Sequence, residues 1–398
     1  MTKHILYLAH DLADAAIRRR VLMLKKGGAS VTVAGFQRAE NLLAGDPEVR
    51  SIPLGKTADA RFMQRIGAVV SAAFSLKSKV ESVPKPDVII ARNVEMLALA
   101  GRASRLFGGD VPIVYECLDI HRLLLDEGLK GKLLRAAEGY FGARAQLLVT
   151  SSPAFVENYF HTRSSLNLPT LLVENKVLDL SDQRPLVPQP RPPRNGKPWR
   201  IGWFGAIRCR KSLSILADFA RRMDGRVEIV LRGRPAYGEF TDFDRRVQAL
   251  PFVEFHGAYR NPEDLVSIYS DVQFAWAIDF FEEGLNSNWL LPNRLYEGSL
   301  HGAIPIALKS TETGRFLDRR GIGLTLDEAR PDELVRLFEA MTPKRYDELF
   351  APLSATDRSL WVAGPEDCRV LVTRLTALEP KSAIGSVHDV VPAVGAER

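Results

Sequence analysis

Short apolar runs alternate with amphipathic stretches along the first half of the chain. Six runs, HILYLAH, SVTVAGF, PDVIIARN, PIVYECLD, QLLVTSS and TLLVEN, are rich in β-branched residues and have the length of strands. Between the first two, Ile17, Val21 and Leu24 recur at helical spacing, and Gly27 with Gly28 ends the helix. Strands alternating with helices predict a mostly parallel sheet covered on both faces, so we expect a Rossmann-like domain over residues 1–180.

The second half repeats this alternation, with apolar runs WRIGWFGAI, VEIVLRGR, VEFHGAY, VQFAWAID, IPIAL and GIGLTL, and predicts another Rossmann-like domain over residues 200–379. Residues 181–199 are rich in proline and lack periodicity, which is typical of an extended linker. Residues 380–398 are small, polar and aperiodic, and predict a disordered tail. The predicted fold class is α/β, with two tandem Rossmann-like domains facing a cleft.

Composition and charge indicate the class of protein and the kind of partner that it would bind. The 398 residues are 46% hydrophobic and 26% charged, as in a soluble protein of two domains. Residues 1–180 carry 24 Lys and Arg against 18 Asp and Glu, whereas residues 181–398 carry 30 of each sign. The basic half favours an anionic partner such as phospholipid, a diphosphate-linked lipid or nucleic acid, although the excess could serve solubility alone.

Cysteine usage and hydropathy bear on the compartment. Cys117, Cys209 and Cys368 are far apart and odd in number, which argues against a disulfide framework or a thiolate metal site. The first ten residues read as a strand rather than a signal peptide, and no run approaches the roughly 20 apolar residues that cross a bilayer. We expect a cytoplasmic protein, and peripheral contact with the inner face of the cytoplasmic membrane stays open.

One glycine-containing turn opens the second domain. The chain lacks both G-x-G-x-x-G and the P-loop pattern, but it carries IGWFGAIRCRKSLSIL. Gly205 follows a strand and would let the backbone approach a ligand, while Arg208, Arg210 and Lys211 cluster where the next helix begins. Guanidinium and ammonium groups at a helix N-terminus suit a diphosphate; a solvated basic turn is the alternative.

A glutamate inside a predicted helix marks a second stretch, NWLLPNRLYEGSLHGAIPIA. Pro292 suits the first turn of a helix and Gly302 suits its end, before a short apolar strand. Glu297 therefore lies inside a helix beside a buried strand, either as a surface carboxylate or as one that holds a ligand.

Together these two stretches resemble the donor half of GT-B glycosyltransferases, particularly family 4 and its relatives. The resemblance implies that Gly205, Arg208 and Lys211 bind the diphosphate of the donor. It also implies that Glu297, on a helix followed by a Gly-x-Pro-like turn, accepts hydrogen bonds from the donor ribose. Retaining members of the family carry another glutamate eight residues earlier, where this chain has Trp289.

The variant P-x-[KR]-L-x-E also resembles bacterial exopolysaccharide enzymes of the succinoglycan type, some of which invert, so both stereochemical outcomes stay open. Arg232 at a strand end, with Asn293 and Arg294 shortly before Glu297, completes the expected donor set.

The resemblance assigns the acceptor to the first domain. An in-line displacement needs a general base, and a carboxylate at a strand end would serve. Asp119 is our first choice, unless it only caps a helix, and Asp11 is the competing base. His121 could orient the acceptor or be structural. Two basic amphipathic stretches, ARFMQRIGAVVSAAFSLKSKV and LKGKLLRAAEGYFGARAQLL, could dock on an anionic bilayer or simply pack against the sheet.

The expected function is transfer of a hexose, with glucose favoured, from a UDP-sugar to a lipid-linked (polyprenyl diphosphate) oligosaccharide in bacterial exopolysaccharide biosynthesis. No metal or other cofactor is expected if Arg208 and Lys211 neutralise the leaving diphosphate. Two alternatives are a sugar-nucleotide epimerase of the same architecture and a non-catalytic assembly protein that kept the fold. Nucleic-acid binding is not expected, because the basic residues belong to no recognisable module.

Overall fold

The computed structural model describes residues 2–37, 49–56, 62–181, 187–193, 196–379 and 390–391. The described residues form two compact units. Unit 1 takes its residues from Met1–Glu174, Leu178–Leu180 and Ala363–Arg398, and unit 2 from Asn175–Val177 and Ser181–Val362. Of the predicted tail 380–398, only Val390–Val391 lies within the described residues, and it forms a short strand.

Unit 1 is built on a parallel sheet, which within the described residues has eight strands in the order β16–β7–β6–β5–β4–β1–β2–β3. The central strand β4 is buried at every position, as expected for a sheet covered on both faces. The strands are β1 His4–Ala9, β2 Ser30–Gln37, β3 Arg50–Lys56, β4 Val88–Arg92, β5 Ile113–Glu116, β6 Ala145–Thr150, β7 Thr170–Leu172 and β16 Val390–Val391.

Helices cover the two faces of this sheet. α3 packs between α2 and α5 and contacts β4, so these three helices form one layer. α1 packs against α15 and buries Ile17, Val21 and Leu24 in the core of the other face. The helices are α1 Ala15–Lys26, α2 Phe62–Val80, α3 Val94–Leu106, α4 Arg122–Leu125, α5 Leu129–Gly142, α6 Pro153–Phe155, a π-helical turn Val156–Phe160 and α15 Pro365–Thr376.

The last helix belongs to unit 1, whereas the sequence analysis placed it in the second domain. α15 buries Cys368, Leu371 and Leu375 in the core that α1 shares. Gly27 permits this packing, because a Cβ there would lie 2.2 Å from the carbonyl oxygen of Cys368. The boundary at residue 379 missed this return of the chain, since an amphipathic helix does not reveal which of two cores it completes.

Unit 2 contains a second parallel sheet, with six strands among the described residues, in the order β11–β10–β9–β12–β13–β14. Two further short strands, β8 and β15, pair with each other, and each has one residue in this unit and one in unit 1. The strands are β8 Val177–Leu178, β9 Trp199–Ile207, β10 Val227–Pro235, β11 Val253–Phe255, β12 Phe274–Trp276, β13 Ile304–Leu308, β14 Leu324–Leu326 and β15 Val362–Ala363.

The helices of unit 2 enclose an apolar core that includes Trp203, Phe219, Trp276 and Tyr296. α7 carries eight buried side chains along one face and connects β9 to β10. The helices are α7 Arg210–Met223, α8 Phe243–Gln248, α9 Leu265–Ser270, α10 Asn286–Trp289, α11 Asn293–Leu300, α12 Glu312–Asp318, α13 Pro331–Glu339, α14 Pro343–Ser354 and a 3₁₀ turn Arg358–Leu360.

Each sheet has a point where the strand order reverses, and this positions the site. In unit 1 the chain proceeds from β1 towards β2 and β3, and then from β4 in the opposite direction. In unit 2 the reversal lies between β9 and β12. Loops that leave neighbouring strands in opposite directions open a crevice at the carboxyl ends, where ligands of such sheets bind.

Within the predicted linker 181–199, residues 187–193 contain no helix or strand but are held on unit 2, whereas Trp199 already begins β9. Arg191 Nη2 donates hydrogen bonds to the carbonyl oxygens of His301 at 2.8 Å and Tyr269 at 3.3 Å. A Cβ on Gly302, at the end of α11, would lie 2.8 Å from Pro188 Cβ. This segment therefore fixes the end of the helix that carries Glu297. Residues 182–186 and 194–195 of the linker lie outside the described residues.

All three cysteines are free, and all three are buried. Among the described residues, no helix combines the length and the apolar character needed to span a bilayer.

Candidate active site

Two glycines meet at the carboxyl ends of β9 and β10. Gly205 has φ 109° and Gly233 has φ 137°, a conformation that side chains rarely adopt. A Cβ on Gly233 would lie 1.8 Å from the carbonyl oxygen of Gly205. Both positions therefore require glycine, and the backbone at this end of the sheet is left free of side chains.

Arg208 lies between the end of β9 and the start of α7, whose N-cap is Cys209. Its Nη2 is 3.3 Å from Asp279 Oδ2, and its guanidinium carbon lies 4.5 Å from the centre of the Phe281 ring. Asp279 follows β12, the strand across the reversal from β9. The two loops that diverge at this point are thus joined by an ion pair and a cation–π contact.

Lys211, in the first turn of α7, is held by the same loop. Its Nζ lies 2.6 Å and 2.8 Å from the two carboxylate oxygens of Glu283, and 4.4 Å from the centre of the Phe280 ring. About half of each charged side chain is exposed to solvent. An ion pair with this exposure is weak and easily exchanged for a stronger anion.

Asp279 also holds Arg294, whose Nη2 lies 3.6 Å from the same carboxylate oxygen that Arg208 approaches. Burial alone would raise the pKa of Asp279, but the charges of Arg294 and Arg208 outweigh burial and hold the pKa below its usual value. Arg294 is itself 8% exposed, and its Nη1 is buried without a hydrogen-bond partner among the described residues. A buried donor of this kind can be satisfied by an ordered water or by a ligand oxygen.

Glu297 is buried on α11 rather than lying on the surface, with 5% exposure. Its Oε1 accepts a hydrogen bond from Asn261 Nδ2 at 2.7 Å, and its Oε2 accepts one from Tyr269 Oη at 3.2 Å. Burial, together with the charge of Glu297, raises the pKa of Tyr259. An ionised carboxylate only accepts hydrogen bonds and offers about four lone-pair sites, which is the chemistry that binds hydroxyl donors.

The predicted donor residues fall in one region of unit 2. Gly205 lies near the end of β9, Arg208 and Lys211 follow that strand, and Arg294 and Glu297 lie on α11. The other two predicted donor residues, Arg232 and Asn293, take no part in the contacts described above. Arg232 is partly buried near the end of β10, opposite Phe204 in the register, and Asn293 is the exposed first residue of α11.

Four residues that shape this region were not predicted as site residues: Asp279, Glu283, Asn261 and Tyr269. Asp279 had a sequence signal, because a carboxylate directly after an apolar strand reaches the sheet edge. Glu283 is an acidic residue shortly before the stretch that contains Glu297, but nothing in the sequence indicates that it pairs with Lys211. Asn261 and Tyr269 had no signal, since they come from a loop and a short helix whose approach to α11 depends on tertiary packing.

The first unit has a similar charged group at the carboxyl edge of its sheet. Arg20 Nε donates to Glu116 Oε1 at 2.6 Å, and Arg92 Nη1 donates to Glu116 Oε2 at 3.0 Å. The Tyr7 hydroxyl donates to Glu116 as well. Burial works against the ionised carboxyl, but the charges of Arg20 and Arg92 outweigh it and lower the pKa of Glu116 to about 2. A carboxylate between two guanidinium groups is fixed at the end of β5.

The predicted acceptor residues lie near this group, at the same edge. Asp11 follows β1 and accepts a hydrogen bond from the Ala13 backbone N–H at 3.0 Å. Asp119 is exposed after β5. The helix cap considered for Asp119 is provided by His121, whose Nδ1 accepts from the Leu123 N–H at 3.3 Å. β4 lies between β1 and β5, so the two candidate bases are on strands two apart. Their chemical roles stay predictions.

Over the described ranges, no group of three or more His, Cys, Asp or Glu side chains could hold a metal ion. The expected independence of a metal stays a prediction.

Comparisons with known proteins decide the family. A family model described as a glycosyl transferase 4-like domain matches residues 1–163. The chain is 57% identical over 377 residues to succinoglycan biosynthesis protein ExoL of Rhizobium meliloti (strain 1021), a match that covers 94% of this chain and 93% of that protein. This chain belongs to the glycosyl transferase 4-like family. It is a transferase, in agreement with the resemblance of its motifs and not with the epimerase or non-catalytic alternatives.

Solved structures show the fold of this glycosyltransferase. Sucrose-phosphate synthase from Thermosynechococcus elongatus superposes with a TM-score of 0.71 at 13% identity, covering 94% of this chain and 98% of the other. Anabaena Alr3699/HepE, solved in complex with UDP-glucose, gives a TM-score of 0.67 at 14% identity, covering 94% of this chain and 100% of the other. The predicted GT-B fold is confirmed.

The buried Glu116 group yields a prediction about stability. Glu116→Gln keeps the side-chain shape but leaves Arg20 and Arg92 without a counter-charge, which costs about 3–5 kcal/mol. We expect urea to unfold the variant at a clearly lower concentration at pH 7, measured by far-UV circular dichroism. Folding lowers the pKa of Glu116, so the stabilisation by its ion pairs is fully present above the ordinary pKa of 4.5. It is lost as the pH falls towards 2.

The difference between wild type and Glu116→Gln should therefore shrink between pH 4.5 and pH 2. Asp110→Asn is the control, since it breaks an exposed ion pair with Lys85 and should leave the midpoint nearly unchanged. Equal midpoints for wild type and Glu116→Gln at pH 7 would contradict the assignment of Glu116 as a buried anchor.

Proposed function

We propose that this glycosyltransferase moves a hexose from a UDP-sugar to a lipid-linked oligosaccharide during assembly of a succinoglycan-type exopolysaccharide. The name of the 57% identical relative supports the pathway, and the UDP-glucose complex of a protein with the same fold supports the donor class. The observation that carries the proposal is the buried, unpartnered Arg294 nitrogen beside Arg208, within the unit that carries Glu297.

The donor diphosphate would lie at the N-terminus of α7. Arg208 and Arg294 share a single carboxylate, so together with Asp279 they present one net positive charge. Lys211 and the positive N-terminal end of the α7 dipole add to the attraction for an anion. These fixed charges would stabilise the UDP that leaves as the bond from the sugar C1 to the diphosphate breaks.

Glu297 would hold the donor ribose. Its carboxylate is oriented by Asn261 and Tyr269, so it does not have to be ordered when the donor binds. The ribose hydroxyls would donate to its oxygens, which adds charge-assisted hydrogen bonds. Arg232 and Asn293 remain proposed contributors to the same pocket.

The acceptor hydroxyl would be activated in unit 1. For an inverting transfer, Asp119 takes the proton as the acceptor oxygen forms its bond to C1. Asp11 is the alternative base, and His121 would orient the acceptor. The retaining outcome stays open. A polyprenyl diphosphate acceptor resides in the cytoplasmic membrane, so the proposal places the enzyme on the inner face of that membrane.

A titration with UDP tests the donor half. Wild type should bind UDP in isothermal calorimetry, and Glu297→Ala should weaken binding at least about tenfold, because hydrogen bonds to a charged group contribute about 1.5–3 kcal/mol each. Glu263→Ala, which removes an exposed glutamate of the same unit, should bind like wild type. UDP affinity that is equal in wild type and Glu297→Ala sinks the ribose assignment, and no UDP binding by wild type sinks the donor site.

The Lys211–Glu283 pair gives a second prediction, of opposite sign. Diphosphate must displace Glu283 from Lys211, so Glu283→Gln should raise UDP affinity by up to about fivefold, the value of an exposed pair. Arg210, on the same helix as Lys211, forms a comparable pair with Asp242, and Asp242→Asn should leave the UDP affinity unchanged. Weaker UDP binding by Glu283→Gln would show that Glu283 assists the donor rather than competing with it.

A further inference from the structure

Exposed apolar side chains are concentrated on one layer of unit 1. Of the eight large apolar side chains that are exposed among its described residues, seven lie on α2, α3 and α5, and the eighth is Leu22 on α1. Large apolar side chains scattered singly need no explanation, but a concentration on one face marks an interaction site.

α5 shows this most clearly. Leu129, Leu133 and Tyr140 recur at helical spacing and are 73%, 62% and 77% exposed, with Phe141 beside Tyr140. Amphipathic helices of soluble proteins normally turn such a face inward. Here the apolar positions lie on the outside of the helix.

A buried carboxylate fixes this orientation of α5. Glu138, on the opposite face of the helix, is fully buried and accepts hydrogen bonds from Tyr115 Oη at 2.9 Å, Tyr159 Oη at 2.7 Å and Ser164 Oγ at 2.8 Å. Rotating α5 to bury its leucines would separate this carboxylate from its three hydrogen-bond donors, and an unsatisfied carboxylate is costly in an apolar interior. The outward apolar face is therefore built into the fold.

The neighbouring helices extend the surface. Phe74 and Val70 on α2 are 78% and 50% exposed, and Leu106 on α3 is exposed as well. Because α3 contacts both α2 and α5, the three helices present one continuous face. We call the outer face of α2, α3 and α5 the helical layer.

The three helices that form the helical layer are rich in basic residues. They contain eight Lys and Arg and only two acidic residues, of which Glu138 is buried. Lys130 and Lys132, which flank the leucines of α5, form no ion pair with any residue that the structure describes. Apolar and aromatic side chains interleaved with unpaired cations match the boundary between acyl chains and anionic headgroups.

We propose that the helical layer docks on an anionic phospholipid bilayer. A second copy of the chain fits less well, because it would set like charges against each other. α5 begins ten residues after Asp119, at the carboxyl edge where the acceptor would react, so docking would bring a lipid-linked acceptor to that edge. This purpose rests on the proposed function, but the docking itself does not.

The test uses the full chain and vesicles without sugar nucleotide. Wild type should sediment with vesicles that contain phosphatidylglycerol, bind poorly to phosphatidylcholine vesicles, and dissociate as salt rises. The variant Leu129→Ser, Leu133→Ser, Tyr140→Ser should lose at least about tenfold in affinity, since each side chain loses its burial in lipid. Lys130→Glu, Lys132→Glu should lose binding to the anionic vesicles.

Matched substitutions of exposed apolar residues in unit 2, Val187→Ser and Tyr237→Ser, should bind vesicles like wild type. Unchanged UDP affinity in every variant shows that the fold is intact, and it separates failure of docking from failure of the donor site. The proposal is overturned if wild type sediments with neither kind of vesicle, or if the α5 variants bind the phosphatidylglycerol vesicles as tightly as wild type does. It is also overturned if those variants change only the oligomeric state in light scattering.

Discussion

A buried carboxylate held between two arginines organises the carboxyl edge of each unit. Glu116 lies between Arg20 and Arg92, and Asp279 lies between Arg208 and Arg294. Each group joins elements on the two sides of a reversal in strand order, where the loops diverge. A buried carboxylate is tolerable only when it is paired in a fixed geometry, so the diverging loops are constrained by the charges they carry.

The same arrangement prepares unit 2 for an anion. Two guanidinium groups against one carboxylate leave a net positive charge, and because Arg294 and Asp279 are buried its attraction for phosphate is stronger than it would be in bulk water. Lys211 is kept close by a weaker, exposed partner in Glu283, and Glu297 is oriented by neutral donors. The buried carboxylate of Asp279 thus keeps its arginines in lasting ion pairs, whereas the exposed Lys211 can exchange Glu283 for another anion.

The sequence predicted what depends on local pattern. Alternating apolar runs gave both parallel sheets, and glycine with basic residues after a strand identified the region of Gly205, Arg208 and Lys211. The pattern could not assign α15 to unit 1, because its apolar face would complete either core. It also missed that Asp279 holds two arginines and that Asn261 reaches Glu297, since both contacts join residues far apart in the chain. Membrane docking was one of two open interpretations of the basic helices, and the outward face of α5 favours it.

The most direct measurement is transfer of labelled sugar from a panel of UDP-hexoses to a polyprenyl diphosphate-linked saccharide, followed by partition into an organic phase. The account predicts that one UDP-hexose labels the lipid phase and that Asp119→Asn abolishes labelling while UDP affinity is retained. Label that stays in the aqueous phase with every donor, despite UDP binding, would contradict the proposed transfer to a lipid acceptor.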